Sequence, residues 1–99
     1  MKNFKCYQMA KEQYLNIQKL RLKSYVRDQI DRASLSVCLN LAEGSGKSSI
    51  KDRRRFYEMA FASHREVQAL LEIIQQTDLT QKADQLGGAL FCLIRALST

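Results

Sequence analysis

Apolar residues recur along this chain in steps of three and four, the spacing of one face of an α-helix, and they do so in four blocks. In the first, about Phe4–Leu22, the stripe is Tyr7, Ala10, Tyr14 and Ile17, extended by Leu20. In the second, about Tyr25–Glu43, it is Val26, Ile30, Ala33 and Val37, with Ser24 placed to cap the start. The third, about Ile50–Thr77, is the longest, and Phe56, Ala60, Ser63, Val67, Leu70 and Ile74 mark an unbroken stripe. The fourth follows Asp78–Thr80 and runs to about Ser98 along Ala83, Leu86, Leu90, Leu93 and Leu97. The chain has no proline, and its abundant Leu, Ala, Lys, Arg, Glu and Gln favour helix. The short connection Ser45–Ser48 makes the second and third helices antiparallel neighbours. The expected fold is therefore all-α, an antiparallel up-down four-helix bundle, with residues 1–99 forming a single domain.

Two blocks carry more apolar surface than one core uses. From Ala33 to Ala42 the second helix is apolar nearly all round, so it needs cover on more than one side. The third helix has an offset stripe, Tyr57, Phe61, His64 and Gln68, and an exposed Phe beside a Tyr is either chance or an interface, the interface being the favoured reading. Leu35, Leu39, Tyr57, Phe61 and His64 are accordingly expected to line a contact between copies of the chain. A chain of 99 residues buries only about two-thirds of its unfolded surface, and association adds burial. Gly87-Gly88 inside the fourth helix either permits close approach or marks a break.

The chemistry concentrates where the second helix meets the third. Gly44 is expected to end the second helix as a left-handed cap. Ser49, with Asp52 three residues on, begins the third like a capping box. The run Gly44-Ser45-Gly46-Lys47-Ser48-Ser49 is not a phosphate-binding P-loop: Leu41 stands where the first Gly is required, and the run follows a helix, not a strand. Lys51, Arg53, Arg54 and Arg55 crowd the first turns of the third helix, whose dipole is already positive there. Lys47 adds to them just upstream, while Glu43 is an acid at the negative end of the second helix. Glu43 can pair across the turn with Arg55 or Arg53, and Arg54 with Glu58. The cations left over either form a solvated basic face or meet an external anion such as a phosphate. Lys47, Lys51, Arg53 and Arg54 are the candidate phosphate contacts, with Lys23 and Arg27 as extensions. On the outer faces of the second helix, Arg27–Asp31 and Asp28–Arg32 are spaced as ion pairs.

A formal charge of +6 and a pI near 9.5 attract polyanions. The three cysteines, Cys6, Cys38 and Cys92, have neither zinc nor redox spacing, which fits a reducing, cytoplasmic setting. No apolar run approaches the roughly 20 residues of a membrane span. With His64 the only histidine, a metal centre or a Ser–His–Asp arrangement has little to build on. No catalytic residue, metal site or cofactor is expected.

The run from Gln29 to Ile73 resembles the bacterial four helix bundle protein family. Members of that family include proteins encoded in intervening sequences of the large-subunit ribosomal RNA gene. The accessory proteins of diversity-generating retroelements share the bundle. The residues that carry the resemblance are Gln29-Ile30, Arg32-Ala33, Ser36, Asn40, Ala42-Glu43-Gly44, Lys47, Ser49, Arg55-Phe56, Ala60, Ser63 and Glu66. Cys38 stands where the family has a mid-helix proline, and Ala62 where it has a glycine. The resemblance implies a ring, a homopentamer, and for the retroelement branch binding to RNA or DNA and to a reverse transcriptase. It also implies that Asn40 and Glu43 fix the turn with Arg55 as counter-charge, and that Arg32 and Glu66 are structural. The reading that follows is a basic, self-associating, non-enzymatic bundle that binds structured RNA. The alternative is a protein-interaction adaptor, such as a reverse-transcriptase accessory subunit.

Overall fold

The computed structural model describes residues 4–97. Four helices run up and down in turn: α1 (Lys5–Gln18), α2 (Ser24–Ser45), α3 (Ile50–Ile73) and α4 (Thr77–Ala96). Neighbours in sequence are neighbours in space, and α4 returns to pack on α1. The fold is the expected all-α four-helix bundle. The expected extension of the last helix to Ser98 lies outside the described residues.

Helix starts and ends have local causes. Ser49 Oγ accepts from the Asp52 N–H at 3.1 Å, which begins α3 where expected. α1 stops at Gln18, short of Leu22, where Arg27 binds one carbonyl in its last turn and one just beyond it. The Arg27 guanidinium donates to Ile17 O at 3.1 Å and to Leu20 O, and also pairs with Asp31 at 2.8 Å. Asp28 and Arg32 form no such pair among the described residues. α3 stops short of Thr77 because Gln75 turns left-handed, with φ 61°. That turn lets the Gln76 N–H close on Leu71 O at 3.0 Å.

Gly44 does not end α2. It is helical, and α2 runs unbroken through Cys38 to Ser45. Its lack of a side chain serves packing instead: a Cβ would lie 2.6 Å from Tyr57 Cε1 and 3.1 Å from Phe56 Cβ. α2 and α3 therefore meet backbone to ring. Farther along the same pair, the Ser36 and Ser63 hydroxyls bond at 2.9 Å. Asn40 does not fix the turn; its amide donates to Ser36 O and Ser36 Oγ, both at 3.0 Å.

The core differs from the expected stripe on α3. Tyr57, Ala60, His64, Val67 and Leu71 are buried, so the helix is rotated to face inward between its two candidate stripes. Tyr57 and His64, expected at a contact between copies, are interior to the protomer. Phe61 is half-buried at the core's edge, while Leu35 and Leu39 are exposed. His64 joins three helices: its Nε2–H donates to Ala83 O at 2.7 Å on α4, and its Nδ1 accepts from Gln13 Nε2 at 3.4 Å on α1. The carbonyl of Ala83 can only accept, so Nε2 carries a proton, and burial disfavours a second one, which leaves the ring neutral with Nδ1 as the acceptor. Gly87 supports this arrangement, since a Cβ there would lie 2.9 Å from Gln68 Nε2 and 3.6 Å from His64 Cδ2. Gly88 faces open space.

Two measurements check this packing. Gly44→Ala should lower stability by about 1–3 kcal/mol in urea denaturation, the usual cost of overpacking. Gly88→Ala should raise it by about 0.5–1 kcal/mol, because only helix propensity changes. Burial holds the His64 pKa below its ordinary 6.5, against the opposing pull of the Ala83 carbonyl. The unfolded chain then takes up the proton first, so this part of the stability is complete above about pH 6.5 and lost below it. Denaturation midpoints should fall between about pH 6.5 and 5, above the ordinary carboxylate range. His64→Asn should remove that slope.

Candidate nucleic-acid interface

Because the helices alternate in direction, one end of the bundle gathers the α2–α3 turn, the start of α1 and the end of α4. Contacts fix this: the Phe4 and Tyr57 rings are 5.9 Å apart, and Arg54 Nη2 donates to Leu97 O at 2.5 Å. From Glu43 to Arg55 this end carries five basic side chains against two acidic ones. Lys5, in the first turn of α1, and Arg95, in the last turn of α4, come to the same end. Neither is evident as part of the group until the topology is known.

The five cations of the turn are held differently. Lys47 pairs with Glu43 at 3.4 Å and lies over the Phe56 ring at 5.1 Å. Glu43 thus pairs along its own chain segment, not across the turn with Arg53 or Arg55. Arg55 stacks on the same Phe56 ring at 4.5 Å and approaches Asp52 at 4.0 Å, with most of its side chain in solvent. Lys51 is exposed and has no acidic partner among the described residues. Arg53 Nη2 donates to Lys47 O at 2.9 Å and so braces the connection. Arg54 pairs with the Leu97 carbonyl, not with Glu58. The Nε atoms of Arg53 and Arg54 are buried without a hydrogen-bond partner.

Among the described residues neither Arg53 nor Arg54 pairs with a carboxylate, and both charges lie at the positive end of α3. Lys47, Lys51 and Arg55 form the accessible part, and Arg53 and Arg54 form its half-buried base. Arg55, expected as a counter-charge for Glu43, belongs with the accessible cations.

Lys23 and Arg27 are not extensions of this group. They sit at the start of α2, whose 22 residues span roughly 30 Å at about 1.5 Å each. Arg27 is further committed to the α1 carbonyls and Asp31.

Other chemistry is sparse. Burial pushes the Cys38 thiol up to about 11 and raises that of Cys6, so both stay protonated at neutral pH. All three cysteines are free. Among the described residues, no three His, Cys, Asp or Glu side chains group as metal ligands would. No described helix is long and apolar enough to cross a membrane.

No curated protein matches the chain. A family model does: that of the 23S rRNA-intervening sequence protein matches residues 2–93. With nearly the whole sequence covered, and with four helices packed in the order the resemblance implies, the chain belongs to the 23S rRNA-intervening sequence protein family.

Proposed function

We propose that this protein is a self-associating accessory protein of the cytoplasm, not an enzyme, that binds structured RNA through its phosphates. The observation that carries the reading is the uncompensated positive charge where α3 begins. Lys51 and the Arg55 guanidinium are accessible, Lys47 is half-exposed, and Arg53 and Arg54 add charge from behind. Free backbone amides in the first turn of α3 supply further donors to an anion. The family's name ties its members to ribosomal RNA genes, which supports RNA over DNA as the polyanion.

One protomer offers only a few phosphate contacts. Several copies joined in a ring, a homopentamer by the resemblance, engage one RNA together and multiply a weak site. Leu35 and Leu39 are apolar and exposed on α2, as such association requires. A second reading is favoured by a different patch. Phe61, Phe91, Ile94 and Glu58 line a hollow of about 280 Å³ between α3 and α4. That hollow suits a protein partner, such as a reverse transcriptase, in an adaptor role.

Affinity for a structured RNA, measured against salt concentration, tests the first reading. Log affinity should fall linearly with log salt, by about 0.9 for each phosphate engaged. Lys51→Ala and Arg55→Ala should each flatten the slope by about one contact per participating protomer. Arg27→Ala should leave the slope unchanged and instead lower stability by about 1–3 kcal/mol, since it strips charged donors from partly buried carbonyls. A response flat in salt, or no RNA binding, excludes the phosphate reading and leaves the adaptor.

A further inference from the structure

α1 and α4 are the least closely packed neighbours in the bundle, and a groove of about 450 Å³ lies between them. Met9, Leu86 and Ala89 give it apolar walls. Glu12 and Lys82 face each other across it at 3.9 Å, too far for a strong pair. Gln13, only 9% exposed, forms part of its lining. The orientation of the Gln13 amide follows from His64. With the buried imidazole neutral and its proton on Nε2 toward Ala83 O, Nδ1 accepts, and Gln13 presents its NH₂. Its Oε1 is left buried and without a partner. A buried acceptor in that state costs free energy that a donor entering the groove would recover.

Such a donor stands on another face of the same molecule. Arg32, Leu35 and Leu39 follow one another at i, i+3 and i+7 and form a single ridge along α2. Leu35 is 41% and Leu39 57% exposed, and Arg32 has no acidic partner among the described residues. The ridge and the groove lie at the same height along the bundle. The Ser36–Ser63 bond of 2.9 Å sets Leu35 level with His64, and the 3.4 Å contact of His64 with Gln13 carries that level to α1. α1 and α2 run in opposite directions. Four residues from Leu35 to Leu39 and four from Gln13 back to Met9 therefore climb the same way, by about 6 Å. Three residues the other way, Arg32 comes level with Asn16, within reach of Glu12 and Gln13 for a long guanidinium side chain.

A closed ring joins each copy to the next through two different faces, and copies standing side by side must present those faces at one height. We propose that the Arg32–Leu35–Leu39 ridge of one copy seats in the α1–α4 groove of the next. The leucines pack on Met9 and Ala89, and the guanidinium meets Glu12 and Gln13 Oε1. The inference rests on the self-association proposed above and names its two surfaces.

Cysteine trapping tests the seating without perturbing the core. In a Cys92→Ser background, Met9→Cys with Leu39→Cys should give a ladder of disulfide-linked multimers under mild oxidation, and neither single variant should. Charge exchange gives an independent reading by sedimentation. Glu12→Arg and Arg32→Glu should each weaken association about tenfold or more, and the double variant should restore most of it. Circular dichroism establishes that each variant is folded. An oligomer that persists while the double cysteine fails to link and the charges fail to rescue overturns the seating and leaves self-association standing. A wild-type chain that sediments as a monomer at every concentration overturns both.

Discussion

The approach of α2 to α3 at Gly44 is the constraint on which the rest of this bundle depends. Tyr57 occupies the place a side chain at Gly44 would take, with 2.6 Å to the position of a Cβ. The two longest helices are thereby drawn together beside their connection, which then needs only residues 46–49. So short a connection leaves the start of α3 at the surface with its amides pointing outward. The cations that follow have nowhere to go but around that positive helix end. Lys47 and Arg55 settle on the faces of Phe56, whose Cβ is the next atom against Gly44. Packing and charge are thus set by one contact.

A second fixed point lies at the centre. A buried imidazole is costly unless both nitrogens are satisfied, and His64 is satisfied only when α1 and α4 are at one relative height. Apolar side chains alone would tolerate a slide of one helix past another better than this network does. The Ser36–Ser63 bond extends the same level to α2. All four helices are therefore held in one register, and features on distant faces have defined heights relative to each other.

What could be read from the sequence, and what could not, divides along physical lines. Helix number, order and antiparallel sense follow from periodicity and short connections, and Ser49 announces the start of α3. Periodicity overshoots the ends of α1 and α3 because their causes are not local residue types. One is an arginine reaching over from the next helix, and the other is a glutamine in a conformation that favours glycine. The inward face of α3 is not fixed by its own sequence, because a wheel offers two stripes and the choice depends on partners elsewhere. Gly44 makes room for Tyr57, while Gln13 and Ala83 accept His64. Gly44 looks like a cap in the sequence because glycine near a helix end usually is one. Charge alone groups Lys23 and Arg27 with the turn, whereas the length of α2 separates them. Lys5 and Arg95 join the basic end only through the up-down topology.

The central claim is that one end of the bundle, and not basic charge in general, meets RNA. An amide-resolved NMR titration of the intact protein with a structured RNA measures this most directly. The account predicts shifts gathered at Lys47–Phe56, Lys5 and Arg95, with Lys19–Arg27 unmoved. Shifts centred on Lys19–Arg27, or spread evenly over every exposed lysine and arginine, would contradict it.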